Sequence, residues 1–414
     1  MKKVFILLTL VLFVVSLSAC QKEDNAAQGV TDTTVLVGNS AATSGGLAFV
    51  GLPFNAGIEA YFAMVNANGG VNGRRIDFVH YDDQFNGATG LTYAERLVED
   101  DQIFAFVGHF GTPIIGATES YLEEVGIPRV YYATGVGTLY NAEATGNERA
   151  SFPVQPLYPA EGQVMVARAV GDFGASKIGV IYSNDDSGTS MLQGIEIEAA
   201  NQGVTLVKAE IEYASADLSA AAITIVEADV DFIIIAANQA SAATAIKALE
   251  VAGSDVDCIT SYVNASPSFA ALIKDTFDSF DVYAGAWVNF FEADGVTPTS
   301  EYDLFVQEMS TFNNDYVSSV YAMTGWIAAS FFVEGLDRVG DAELTWENFI
   351  NAMEEAPIQN PFGGMIDFAN GSRVGTQSMA LTKAAIIPAA GDNPEGYVWN
   401  VVEPIESIDT ILGN

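Results

Sequence analysis

Residues 103–133 read IFAFVGHFGTPIIGATESYLEEVGIPRVYYA, and this stretch decides the fold class. Ile103 to Val107 is an apolar run typical of a buried strand, Ile114 to Glu124 has the spacing of a helix, and Arg129 to Ala133 is a second strand. A strand, a helix and a further apolar strand predict a βαβ unit whose parallel strands are buried on both faces.

The same alternation continues on both sides of this unit. Before it, the pattern predicts strands at Thr34 to Ser40 and Ile76 to Tyr81, and helices at Leu52 to Asn68 and Ala88 to Glu99. After it, residues 152–162 (FPVQPLYPAEG) interrupt the rhythm with three prolines, and the alternation then restarts. The simplest interpretation is an α/β protein with two doubly wound parallel-sheet lobes; one large sheet is the alternative.

The pattern changes in the last third of the chain. Tyr316 to Val339 predicts a long helix and Trp346 to Glu355 a shorter one. Met365 to Leu381 is interpreted as a hairpin that turns around residues 369–372.

The N-terminus has the features of an export signal. Lys2 and Lys3 precede an apolar run at residues 4–15, and Leu17-Ser18-Ala19-Cys20 follows. Residues 1–19 are therefore predicted to be a signal peptide, and the motif before Cys20 resembles a bacterial lipobox, which implies a lipidated Cys20. An ordinary signal peptide is the alternative. Residues 20–32 are polar and aperiodic, and we predict a flexible tether there.

Composition excludes several classes of protein. The chain has 16 Lys and Arg against 53 Asp and Glu, so its surface repels nucleic acid. The acids are spread along the chain, which favours a general role in solubility over an acidic binding patch. Nothing after Cys20 is expected to span a membrane, so we predict membrane contact through the lipid anchor only. Besides Cys20 only Cys258 remains, and no intrachain disulfide is expected.

Small polar residues follow the predicted strands. They occur at residues 43–46, 108–113, 134–137, 183–188 and 238–239. Ligands of open parallel sheets bind beyond the carboxyl ends of the strands, so this set predicts a binding site, although each residue alone is more typical of a turn or helix cap. The two histidines, His80 and His109, have no metal-ligand spacing, and neither a nucleophile elbow nor a P-loop is present. We therefore expect no enzyme activity, no cofactor and no metal.

Several motifs resemble one known family. They are GIEAYF at 57–62, VNANGGVNGRRI at 65–76, YDD at 81–83, VGH at 107–109, GTP at 111–113, GIP at 126–128, YPAEG at 158–162 and YSNDDSG at 182–188. In this order they resemble the branched-chain amino acid (leucine/isoleucine/valine) binding proteins of ABC importers. That resemblance implies a type I periplasmic-binding-protein fold with a three-strand hinge near residues 152–155, 282–288 and 360–364. The N-terminal lobe would comprise 33–153 and 285–358, and the C-terminal lobe 154–284 and 359–414.

The resemblance also implies a site. The loops holding Gly111 and Thr112, and Ala133, Thr134 and Gly135, would bind a carboxylate, and Phe49 would cover the ligand. The further expected cleft residues are Ser44, Tyr158, Asp186, Asn238 and Tyr262. The family's usual aromatic is replaced by Ser187, and no acid stands in residues 260–264 to pair with an ammonium group. An amide, a carboxylate without an amine or an aromatic acid therefore fits at least as well as a branched-chain amino acid.

These observations predict an extracytoplasmic solute-binding lipoprotein that is anchored at the cell membrane. It would capture a small amino-acid-like, amide or carboxylate ligand in an interlobe cleft and deliver it, as a monomer, to the permease subunits of an ABC importer. Two alternatives stay open. One is a ligand-sensing module for a membrane receptor or kinase, and the other is an extracytoplasmic hydrolase.

Overall fold

The structure is a computed structural model, and it describes residues 27–291, 297–389 and 395–413. The predicted signal peptide and Cys20 lie outside these residues.

The first lobe is built on a five-stranded sheet in the order β2-β1-β3-β4-β5, in which every neighbouring pair is parallel. Its strands are β1 (Thr34–Ala41), β2 (Arg75–Asp82), β3 (Ala105–Phe110), β4 (Arg129–Ala133) and β5 (Ser151–Phe152). The connecting helices are α1 (Ala48–Ala67), α2 (Gly87–Glu99) and α3 (Thr112–Val125). All six residues of β3 are buried, as expected for a central parallel strand covered on both faces.

The second lobe is built on a seven-stranded sheet in the order β14-β13-β10-β9-β8-β6-β7. Its parallel strands are β6 (Lys177–Ser183), β7 (Thr205–Ile211), β8 (Phe232–Ala236), β9 (Cys258–Thr260) and β10 (Val282–Ala286). The helices between residues 158 and 273 are α4 (Tyr158–Gly171), α5 (Asp186–Gln202), α6 (Ser219–Val226), α7 (Gln239–Val251) and α8 (Pro267–Ile273). Two separate sheets confirm the predicted α/β class, and the single-sheet alternative is wrong.

After β10 the chain returns to the first lobe before it ends in the second. The returning helices are α9 (Ser300–Phe312), α10 (Val320–Val339) and α11 (Trp346–Glu354). Helix α10 packs on α1, β3 and β4. A short antiparallel pair, β11 (Ile358–Gln359) with β12 (Met365–Ile366), leads back to the second sheet.

The hairpin expected within residues 365–381 is wrong. The antiparallel hairpin instead joins β13 (Ser378–Ile387) to β14 (Gly396–Ser407), which extends the second sheet beyond β10, and α12 (Ile408–Leu412) follows it. Residues 369–371 form a short 3-10 segment that is interrupted at Asn370, whose backbone is left-handed, and the chain does not return onto β12 there.

Helices α1 and α10 cross at very short range. A Cβ added at Gly57 would lie 1.9 Å from the carbonyl oxygen of Ala322, and one at Gly325 would lie 1.9 Å from that of Phe54. Glycine at both positions therefore lets the two backbones touch. Among the described residues, the stretch Gly45–Ala67 is long and apolar enough to cross a membrane, contrary to the sequence-based expectation that none would be; 56% of its most apolar window is buried inside the protein.

The end of the predicted tether is attached to the first lobe. Gln28 Nε2 donates to the carbonyl oxygens of Val98 (3.3 Å) and Ile103 (2.9 Å). Leu36 N donates to Gly29 O at 2.8 Å. The prediction of a flexible tether is therefore wrong for these residues, because their backbone and side chains are hydrogen-bonded to the folded lobe.

Candidate functional site

A cavity of about 230 Å³ lies where the carboxyl ends of both sheets meet. The first lobe contributes Gly111 and Thr112 after β3 and Ala133 at the end of β4. The second contributes residues that follow β6, β8, β9 and β10 and, from the hairpin, Thr382, Trp399 and Val401. A molecule bound here contacts both lobes, as expected for an open parallel α/β site.

The lining is dominated by aromatic rings. They are Phe54, Phe85, Phe110, Tyr131, Tyr158, Tyr213, Tyr262, Trp287, Phe290, Phe291, Tyr321 and Trp399. The rings of Tyr158 and Tyr262 are 6.2 Å apart, and those of Tyr262 and Trp287 are 6.4 Å apart and nearly perpendicular. These spacings are those of favourable aromatic pairs, so Tyr158, Tyr262 and Trp287 pack together within the aromatic wall of the cavity.

Asp185 is the only charged residue that lines the described part of the cavity. Its carboxylate caps α5 by accepting from Gly188 N at 3.1 Å, and it also accepts from Ser187 Oγ at 2.7 Å and from Ser183 Oγ. A carboxylate at a helix N-terminus is stabilised by the backbone N–H groups there. The Asp185 carboxylate is therefore already hydrogen-bonded to three donors of its own loop.

Two threonines join the strand ends of the first lobe. The hydroxyl oxygens of Thr112 and Thr134 are 2.7 Å apart, and Val136 N donates to Thr134 Oγ1 at 3.2 Å. Thr112 begins α3 and lines the cavity, whereas Thr134 lies behind it. The Thr112 hydroxyl is thus oriented by its neighbour and can exchange a hydrogen bond with a ligand.

Polar contacts also tie the tyrosines of the wall in place. Tyr131 donates to Gln155 Oε1 at 3.1 Å, and Asn238 Nδ2 donates to the Tyr158 hydroxyl at 3.3 Å. Tyr262 donates to the carbonyl oxygen of Pro156 at 2.8 Å, in the segment that crosses between the lobes. Each of these three tyrosine hydroxyls is therefore oriented by a hydrogen bond within the protein.

A buried carboxyl group lies behind Tyr262. Glu161 accepts from Tyr262 N at 2.6 Å and from Ser261 Oγ at 3.0 Å, and it is 1% exposed. Burial raises its pKa to about 8, against the opposing effect of these two hydrogen bonds. Sequence reasoning found no acid near residues 260–264, because Glu161 comes from a distant helix that only the tertiary fold brings to this strand end.

A family model described as periplasmic binding protein matches residues 34–392. The chain belongs to this family. The family predicted from the motifs is thereby confirmed.

Relatives within the family are distant. The Leu/Ile/Val-binding protein homolog 7 of Brucella abortus is 24% identical over 339 residues, covering 78% of this chain and 82% of that relative. Homolog 2 of the same organism is 32% identical over 102 residues, and this match spans only 27% of its length.

Two solved structures share the fold over nearly the whole chain. A fatty acid ABC transporter substrate-binding protein from Thermomonospora curvata has a TM-score of 0.77 and 18% identity, and the match covers 94% of this chain and 96% of that one. A branched chain amino acid ABC transporter protein from Thermus thermophilus, with bound valine, has a TM-score of 0.78 and 17% identity, with coverage of 93% and 100%. The type I periplasmic-binding-protein fold is thus confirmed.

Six of the predicted site residues line the cavity of this periplasmic binding protein. They are Gly111, Thr112, Ala133, Tyr158, Asn238 and Tyr262. Thr134 and Gly135 do not line the cavity but contact residues that do: Thr134 shares a hydrogen bond with Thr112, and Gly135 O accepts from Tyr158 N at 2.5 Å.

Three further predicted residues lie away from the cavity lining. Ser44 N donates to Asp82 at 3.1 Å, which holds that loop against β2. Phe49 is 49% exposed, and its ring stands edge-on to Tyr321 at 6.2 Å. Asp186 is replaced in the lining by its neighbour Asp185.

Sequence reasoning missed much of the aromatic wall. Trp287 follows β10, Trp399 belongs to β14, and Tyr321 belongs to α10. The alternation at residues 396–401 is the signal for β14 in the sequence. No local pattern indicates that α10 reaches the cavity.

Proposed function

We propose that this protein is the extracytoplasmic solute-binding component of an ABC importer and that it captures a small ligand between its two lobes. The observation that carries the proposal is the cavity itself, since loops after strands of both sheets line it. A ligand that contacts both lobes stabilises their closed arrangement more than the open one. Permease subunits that bind the closed pair would then receive only loaded protein.

The ligand is amino-acid-like, an amide or a carboxylate, and is held by Thr112 on the first lobe and by the tyrosine wall on the second. The rings of that wall favour an apolar or aromatic body. His109, the histidine of the strand-end loops, is fully buried against Thr118 (Nε2 to Oγ1, 3.0 Å) and does not line the cavity, so it offers no support for a hydrolase.

The protein is held at the membrane by lipid on Cys20, acts as a monomer and has no other membrane contact. The proposal rests on the lipobox-like sequence at residues 17–20. Replacing Cys20 with Ser would move the protein from the membrane fraction to the soluble extracytoplasmic fraction. A Cys258→Ser variant, which changes a buried thiol, would stay with the membrane.

Ligand-driven closure is the direct test of the binding function. Amino acids, amides, aromatic acids and alcohols would be screened by thermal shift, and a ligand at one hundred times its dissociation constant would stabilise the protein by about 2.7 kcal/mol. Small-angle scattering on the same samples would show a smaller radius of gyration with the ligand. A stabilising compound that leaves the scattering profile unchanged contradicts closure around a guest molecule.

A further inference from the structure

Four carboxamide side chains line the described part of the cavity, namely Gln155, Asn238, Gln239 and Asn289. The nitrogens of the last three each donate to an oxygen of the protein, at 3.3, 3.0 and 2.6 Å respectively. Gln155 Nε2 has no hydrogen-bond partner among the described residues, although Gln155 is only 6% exposed. A buried N–H group without an acceptor is unfavourable, so this nitrogen indicates an acceptor that a ligand supplies.

The Tyr131 hydroxyl orients the amide of Gln155. It donates to Gln155 Oε1 at 3.1 Å, which leaves the nitrogen end of the amide free. The neighbouring Tyr262 hydroxyl gives its own hydrogen to Pro156 O at 2.8 Å. Because an amide nitrogen has two hydrogens and the Tyr262 oxygen can accept only one of them, at least one N–H of Gln155 remains for a ligand.

Tyr131 reaches Gln155 from a strained backbone. Its φ is 61°, in the left-handed region that residues other than glycine rarely adopt, although Tyr131 lies within β4. Val130 and Tyr132, on either side, pair with β3, and Tyr131 does not. Such strain persists only where the surrounding contacts enforce it, and it concentrates at functional sites. The strained residue here holds a buried amide in the cavity wall, which independently indicates a binding role for that amide.

From these observations we infer that Gln155 is a ligand-binding residue and that the ligand carries a carbonyl-type oxygen that accepts from Gln155 Nε2, in addition to the group that Thr112 and the strand-end loops bind. This inference rests on the proposed binding function and adds one residue and one ligand group to it. An apolar group in the same place would leave the N–H unpaired once the lobes close, so the site selects against such a ligand.

Matched aromatic acids that differ in one group test the inference. They are 4-acetylphenylacetate and 4-isopropylphenylacetate, together with the two corresponding 3-substituted compounds, each titrated to millimolar concentration by calorimetry. The acetyl and isopropyl groups have nearly the same shape, but only the acetyl group has an acceptor. We expect at least one acetyl compound to bind the wild type at least tenfold more tightly than its isopropyl counterpart, which corresponds to about 1.4 kcal/mol.

Variants of two glutamines assign the preference to Gln155. Gln155→Met removes the donor and keeps the length of the side chain, with Gln155→Leu in its place if thermal unfolding shows that the first variant does not fold. We expect the acetyl compound alone to weaken, so that the affinities of the matched pair differ by less than about twofold. Gln377→Met is the control, because Gln377 lies outside the described cavity lining and its Nε2 donates to Val374 O at 2.7 Å. This control should retain the preference of the wild type.

Each other outcome overturns the inference. Wild-type protein that binds the acetyl and isopropyl compounds equally, or binds none of the four, removes the ligand group. A Gln155 variant that keeps the preference, or that weakens both compounds alike, removes Gln155 as the donor, since a purely structural role does not distinguish acetyl from isopropyl. Loss of the preference in Gln377→Met has the same consequence. In all these cases the binding function survives if any compound of the wider screen still closes the lobes, and it fails only if none does.

Discussion

Replacing Glu161 with Gln should change how stability depends on pH. Glu161 is buried behind Tyr262, where one oxygen accepts from Tyr262 N and the other lies 3.0 Å from Ser261 Oγ. A glutamine of the same shape keeps both contacts, since its oxygen accepts from the backbone and its amide donates to the serine. The variant therefore reproduces the protonated acid without being able to ionise.

The expected difference in the free energy of unfolding between variant and wild type follows from the shift in the pKa of Glu161. Burial raises the pKa of Glu161 from 4.5 to about 8, so the folded protein keeps a proton that the unfolded chain releases between these values. The stabilisation by this proton is fully present below pH 4.5 and is lost as the pH rises through about 8. At about 1.4 kcal/mol per pH unit, the variant should equal the wild type near pH 4.5 and exceed it by up to about 5 kcal/mol above pH 8. The neighbouring Tyr158 and Tyr262 do not interfere, because burial raises the pKa of both.

Urea unfolding at several pH values from 5 to 9, followed by circular dichroism, measures this difference. Asp83→Asn serves as a control of the same kind, because burial raises the pKa of Asp83 to about 6. The difference in stability between Asp83→Asn and the wild type should therefore stop growing above about pH 6. A difference between Glu161→Gln and wild type that is independent of pH would refute the reasoning.

The remaining predictions concern binding and packing. Thr112→Val should weaken a bound ligand about tenfold, because it removes a hydroxyl oriented by a 2.7 Å contact; calorimetry showing unchanged affinity would exclude Thr112 from the site. Gly57→Ala should lower the free energy of unfolding by about 1–3 kcal/mol or more, since the new methyl would lie 1.9 Å from a carbonyl of α10. Gly171→Ala, at the end of α4 with nothing within 4 Å, should instead be neutral or stabilise by up to about 1 kcal/mol in the same denaturation assay.

The parallel strands were accessible from sequence because they are buried on both faces and therefore read as continuous apolar runs. Ile103 to Val107 overlaps β3, and Arg129 to Ala133 coincides with β4. Boundaries were less accurate where a turn precedes a helix: the helix expected from Tyr316 begins at Val320, after a separate 3-10 turn at Asn314–Tyr316. The edge hairpin was misplaced because its outer strand, β14, has no buried residue, so its apolar residues do not form a continuous run.

The loops that follow the strands were identified, but only some of the predicted residues in and around them line the cavity. Thr112 and Tyr262 line the cavity, whereas Ser44 bonds to β2, since the direction of a side chain depends on its contacts and not on its place in a loop. The contact between Glu161 and Tyr262 is not encoded locally either, because the two residues are 101 positions apart in the sequence.

The amino-acid sequence by itself determined the class of fold, because strand and helix follow from local periodicity and the parallel arrangement follows from unbroken apolar strands. It also determined the family, through short motifs in helices and in the loops that follow the strands. Only the tertiary structure decided the character of the cavity, since its lining comes from segments scattered between residues 47 and 401. The packing of the two lobes decides which aromatic rings and which charged groups line the cavity. No local sequence pattern encodes this packing.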